Sequence, residues 1–233
     1  MAFSSEVATE RSAEWLRTWA GLLAILAVFV ATGLICAHLG ILEAKPHFGE
    51  DGAVEIATPV VYVLVALLYV AWRGKIGVQS LVPPFILVLM AWRELDGDQW
   101  FTDKSVISTG YYFDNPGVGY GERVLVAAIM LPLGLIILRF LWNARYQIAS
   151  AVRASQPYCR SLIAAFTMLG ASLVLDGLGR KVYGYLGVHL PTTVSVLAGI
   201  IEEAGELGMA VAFLAALLQL RFDPEQNKLP PGV

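Results

Sequence analysis

LLAILAVFVATGLI, residues Leu22–Ile35, is an apolar run without one charged side chain. With its flanks from Glu14 to His38 it reaches about 25 residues, enough to cross a hydrocarbon core roughly 30 Å thick as a helix. It is too long for the apolar core of a signal peptide. Glu6, Glu10 and Glu14 precede it, so the run reads as a retained transmembrane helix. The whole chain carries the same signature. Of its 233 residues 57% are hydrophobic and 15% are charged, against about 25% charged in a soluble domain. Mean hydropathy is +0.65. The lipid bilayer is the expected surrounding. No basic run suited to nucleic acid occurs, and nucleic acid is not an expected partner.

Working outward, six stretches read as spans, giving an all-α, polytopic bundle. They are Glu14 to His38, Val54 to Trp72, Ile76 to Leu95, Glu122 to Trp142, Pro157 to Leu178 and Pro191 to Leu220. Pro83-Pro84 must kink the third or begin it. The last, about 30 residues and about 45 Å long, must tilt or extend beyond the lipid. The domain organisation is an N-terminal tail over 1–13, a transmembrane domain over 14–220 and a C-terminal tail over 221–233. Residues 96–121 form one long loop in which aromatics alternate with polar residues, read as a structured cap with Tyr111-Tyr112 anchoring it at the headgroups. Leu178, Val182, Tyr185 and Leu186 are spaced for a short interfacial helix. Cys36 and Cys159 fall at opposite ends of the bundle, too far apart for a disulfide.

Positive charge sets the orientation. With the N-terminus inside, ten of the 16 Lys and Arg lie on the cytoplasmic side, so both termini are expected in the cytoplasm. Trp15, Trp19, Trp72 and Trp142 then mark the inner interface, and Trp92 and Trp100 the outer one. The carboxylates are lopsided: apart from Glu6, Glu10, Glu14, Asp223 and Glu225, every Asp and Glu lies in the outer half, together with His38, His47 and His189.

The sharpest feature is GIIEEAGELGMAVAFLAALL, residues Gly199–Leu218, inside the last span. A carboxylate facing lipid at that depth would cost several kcal/mol. Glu202 and Glu206, one turn apart, share a face, and Glu203 is turned about 100° away. Glu55, Glu94, Asp96, Glu122 and Asp176 stand at other outer helix ends. The expected site is an outward-facing, carboxylate-rich centre in which Glu94, Asp96, Asp176, Glu202 and Glu206 bind a cation and Arg93 and Arg180 balance its charge. Oxygen ligands suit a hard divalent metal ion. As an enzyme, the chain would use metal-bound water for hydrolysis of a lipid-linked or periplasmic substrate. Two alternatives stay open: a proton- or ion-coupled transporter, and a non-catalytic subunit of a membrane complex whose acids are paired in a buried salt-bridge network. Ala204, Gly208 and Ala212 would let a neighbouring helix approach closely, within the bundle, in a homo-oligomer or in such a complex. Ser161, Ser172 and Ser195 have no histidine at matching depth, which disfavours a serine nucleophile.

The stretch AWRELDGDQWFTDKSVISTGYYF, through Arg93, Glu94, Leu95, Asp96, Phe101, Thr102, Tyr111 and Tyr112, resembles a family of uncharacterised bacterial inner-membrane proteins. LDGLGRK (Asp176, Arg180) and IEEAGELG (Glu202, Glu203, Glu206) are similar to that family's Asp-Arg and Glu-Glu-x-x-Glu-Leu signatures. The resemblance covers roughly the last two-thirds of the chain and implies a common six-helix fold, with no activity attached. Gly97-Asp98-Gln99 departs from it, because a basic residue is expected after Asp96.

Overall fold

In lipid the backbone has no water to bond, so an apolar run must close its own hydrogen bonds as a helix. The computed structural model describes residues 2–49, 52–72, 78–97, 106, 109–113 and 117–222, and among these every regular element is helical. The order is α1 (Ala2–Leu39), α2 (Ile41–Phe48), α3 (Ala53–Trp72), a 3-10 turn (Val78–Leu81), α4 (Val82–Glu94), α5 (Thr109–Phe113), α6 (Tyr120–Arg153), α7 (Pro157–Leu175), α8 (Leu178–Leu186) and α9 (Thr192–Arg221).

Four segments among the described residues are long and apolar enough to cross a membrane: Glu14–Leu39, Ile41–Trp72, Tyr120–Tyr146 and Pro157–Leu175. Their large apolar side chains point outward. Leu26, Leu34, Ile129, Leu138 and Val174 are each more than half exposed. An apolar surface this continuous is solvated by lipid, and it is that of a membrane protein.

Four therefore qualify by length and apolarity where six were expected. Of the third stretch, Val82–Glu94 is helical, and its 13 residues reach only about 20 Å. Pro83-Pro84 begin this helix and do not kink it, since first-turn prolines forfeit N–H groups that have no partner there. The last stretch forms the 30-residue helix Thr192–Arg221 but is not one of the four. The segment 2–13, expected as a tail, continues α1 as helix. Residues 223–233 and half of the 96–121 loop, with Trp100, Phe101 and Thr102, lie outside the described residues.

The chain divides into two compact units. In the first, Met1–Val61 with Ala151–Val233, α9 is the central helix. α1 and α7 pack on it and on each other, and α2 lies against both α9 and α1. Ala204, Gly205, Gly208, Ala212, Ala215 and Ala216 are buried along α9. Lipid tails are as apolar as leucine, so helices associate in a membrane through close backbone approach, which small residues permit. Ile25 of α1 fills the space over Gly208, 3.6 Å from where a Cβ would stand. At Gly21 the contact is tighter: an added Cβ would come within 2.8 Å of the Ser161 Cα on α7. The first and fifth predicted spans therefore cross at a glycine.

α2 is a helix that the span pattern did not anticipate. Gly40, at φ 88, turns the chain out of α1. Ala44 and Phe48 then bury against Ile200 of α9, with Cys36, Ile41, Val54 and Val196 around them. α8 is the short amphipathic helix expected from its spacing, with none of its residues buried. It lies between two glycines in the left-handed region, Gly177 at φ 57 and Gly187 at φ 66.

The second unit, Tyr62–Ser150, contains the described part of the cap. Val106, Tyr111 and Val118 form its small core, covered by Tyr112 and by Val126 and Met130 of α6. Tyr111 is fully buried, not placed at headgroups as expected. Its hydroxyl donates to Glu122 Oε1 at 2.9 Å. Arg123 closes the cap by donating to the carbonyls of Tyr112 (2.7 Å) and Val118 (3.2 Å). Burial raises the Tyr111 phenol above its ordinary pKa of 10.0, and the hydrogen bond to Glu122 raises it further.

Candidate functional site

Ser161 and Ser172 are separated by about three turns of α7 and therefore share a face. That face meets α9. Ser172 Oγ donates to Glu206 Oε1 at 2.8 Å, and Ser161 Oγ donates to Gln219 Oε1 at 2.8 Å. Gln219 Nε2 in turn donates to the backbone carbonyl of Arg17 on α1. The early serine pairs with the late residue of α9, and the late serine with the earlier one, so α7 and α9 run antiparallel. Two polar ties hold them at two levels.

The tie at Glu206 is the chemically loaded one. Ser172 is 3% exposed and Glu206 5%. A carboxylate so deep is costly unless its lone pairs are met, and the hydroxyl of Ser172 meets one of them. Low local polarity strengthens such a bond. Glu202, one turn earlier on the same face, and Glu203 are half-buried. The inward placement expected for this helix's acids thus holds most fully for Glu206.

The other residues named from the sequence have local partners. Asp176 caps the C-terminus of α7, its backbone N–H bonded to the Ser172 carbonyl. Its carboxylate stands 3.8 Å from Arg180 Nη2 and 3.9 Å from Lys181 Nζ, with half of the side chain exposed. Lys181 also donates to the Leu173 carbonyl at 2.9 Å, tying α8 back to α7. Arg180 and Lys181 thus stand as exposed, local ion-pair partners of Asp176. In the second unit, Arg93 Nη1 lies 4.0 Å from Glu94 Oε1. Asp96 is exposed and takes the left-handed conformation, φ 50, just past the end of α4. Aspartate tolerates that conformation better than most residues, which gives Asp96 a helix-ending role. Among the described residues no three His, Cys, Asp or Glu side chains come together as a metal shell. The five expected ligands divide between the two units: Glu94 and Asp96 in one, Asp176, Glu202 and Glu206 in the other.

Both cysteines are free thiols. Two tryptophans carry a cation over the ring: Arg160 lies over Trp19 at 4.9 Å, and Arg145 over Trp142 at 4.0 Å. His189 stacks on Tyr183 with centroids 4.1 Å apart. No protein-family model, curated protein or solved structure matches this chain significantly.

The polar ties of α7 were not anticipated. The signal was present: two serines at an 11-residue interval lie about 20° apart around a helix.

Proposed function

We propose that this chain is a bacterial inner-membrane protein of six crossings with both termini in the cytoplasm, and that the Glu202–Glu206 face of α9 holds a cation in its outward half. The supporting observation is Glu206, 5% exposed inside the first unit and bonded by Ser172. An ionisable side chain kept within a membrane-spanning bundle marks a functional position by default. Glu206, Ser172 Oγ and Glu202 one turn away supply a small oxygen set. Such a set suits one monovalent ion better than a divalent ion, which draws on six to eight oxygen ligands as calcium or an octahedral shell as magnesium. In this reading α9 is a crossing whose acids are turned inward, and α4 with the residues ahead of it is another. Six crossings return both termini to the side richer in Lys and Arg, and the motif resemblance to a six-helix family points the same way.

A second reading has its own observation. Ser161 and Gln219 form an equally buried tie between the same helices without any carboxylate, and on this reading Ser172–Glu206 is a fastening of a non-catalytic subunit. One experiment separates the two. Thermal unfolding of the purified chain in detergent is measured in sodium, potassium, magnesium and calcium chloride, with choline chloride as reference. A bound cation at 100 times its Kd stabilises by about 2.7 kcal/mol, and Glu206→Gln should abolish that gain. Equal midpoints in all salts leave only the fastening. Orientation has a separate test. A periplasm-active reporter fused after Val233 is expected to be silent, and a bright signal would invert every side assignment.

A further inference from the structure

Between α2 and the first three turns of α9 runs a groove of about 810 Å³, within the range of small-ligand sites, roughly 300–1,000 Å³. It is not uniformly apolar. Lys45 of α2 brings one cation to its wall, and Glu203 of α9 brings one carboxylate. Thr192 and Ser195, in the first turn of α9, add hydroxyls, while Phe48, Val196 and Ile200 supply the apolar wall.

We infer that this groove binds a zwitterion of the phosphoethanolamine type, a phosphate joined to a primary ammonium, carried by a lipid or free. Lys45 and two hydroxyls are several donors, and a phosphate offers several acceptor oxygens to them. Glu203 stands about 12 Å along the helix axis from Ser195. Helical side chains lean toward the N-terminus, so Glu203 reaches back along the groove toward the hydroxyls. A carboxylate accepts hydrogen bonds from a primary ammonium. A quaternary ammonium is recognised by a cage of aromatic faces, and among the described residues Phe48 is the one aromatic lining this groove. The proposal goes beyond a cation at Glu206 and does not depend on it.

Gly199 supplies the test, because it lines the groove and a Cβ added there meets nothing within 4 Å. A larger side chain can therefore leave the helix here without a clash at its Cβ and project into the groove. The full chain in dodecyl maltoside is titrated with soluble phosphoethanolamine and, in mixed micelles, with phosphatidylethanolamine, phosphatidylcholine and phosphatidylglycerol, with occupancy read by native mass spectrometry. Phosphatidylethanolamine should bind at least tenfold tighter than the other two lipids. Saturation by soluble phosphoethanolamine as well identifies a headgroup site open to free ligand; saturation by the lipid alone identifies a lipid site. Lys45→Ala should weaken binding at least tenfold, Glu203→Gln should erase the preference over phosphatidylcholine, and Gly199→Phe should abolish binding with helicity unchanged by circular dichroism. Equal binding of the three lipids overturns the proposal. So does wild-type binding by Lys45→Ala, an exposed position whose substitution leaves the fold intact.

Discussion

Ser172→Ala removes a single hydroxyl from the tie to Glu206, and its cost can be worked from the geometry. The bond is 2.8 Å long between groups 3% and 5% exposed, so water does not replace the lost donor. Neutral hydrogen bonds between membrane helices couple by about 0.6 kcal/mol on average and at most about 1.7. Bonds to a charged group are worth about 1.5–3 kcal/mol. For a carboxylate that holds a cation, the Ser172/Glu206 coupling should therefore come out near 1.5 kcal/mol. The Ser161/Gln219 pair, equally short but neutral, should stay near 0.6. Both values follow from double-mutant cycles, Ser172→Ala with Glu206→Gln and Ser161→Ala with Gln219→Leu, measured by denaturation in mixed micelles. The control shares the same two helices, so differences in detergent packing cancel. If the two coupling energies agree, the reasoning that sets Glu206 apart from an ordinary fastening is refuted.

Gly21→Ala should destabilise by about 1–3 kcal/mol through overpacking against Ser161, whereas Gly33→Ala on the same helix, with open space at the new Cβ, should cost nothing; thermal unfolding of the pair decides. Asp176→Asn should change stability by less than about 1 kcal/mol, and less again at high salt, because its ion pairs are half exposed. Tyr111 has a pKa raised on folding from 10.0, so its contribution is fully present below pH 10.0 and is lost as pH rises through the folded value. Tyr111→Phe should therefore flatten the alkaline limb of the stability profile and remove the latest-ionising tyrosine from an absorbance titration. An unchanged alkaline limb would contradict the burial of that phenol.

Much of the fold was legible because lipid makes a simple demand. Runs such as Leu22–Ile35 and Val124–Trp142 can satisfy their backbones only as helices, and Pro83-Pro84 could only kink or open one. The spacing within Leu178–Leu186 was equally readable, since a period of 3.6 on a short polar segment has few other meanings. α2 was not, because ILEAKPHF lacks the length of a span, and its helix depends on Ala44 and Phe48 finding Ile200 from the far end of the sequence.

The candidate site divides along the same line. Composition alone placed the acids of α9 in a helix and made their exposure to lipid untenable, so that Glu202 and Glu206 had to face protein or a ligand. It could not say which partner each acid meets. Asp176 meets residues four and five positions away, a local outcome of helix geometry and chain turn. Glu206 meets Ser172, 34 positions earlier, and only the antiparallel packing of α7 on α9 selects that serine. Periodicity and the lipid solvent thus determine which segments are helical and which faces are polar. Which polar group stands opposite which is decided by where small residues such as Gly21 and Gly208 let the helices close, and that contact exists only in the folded chain.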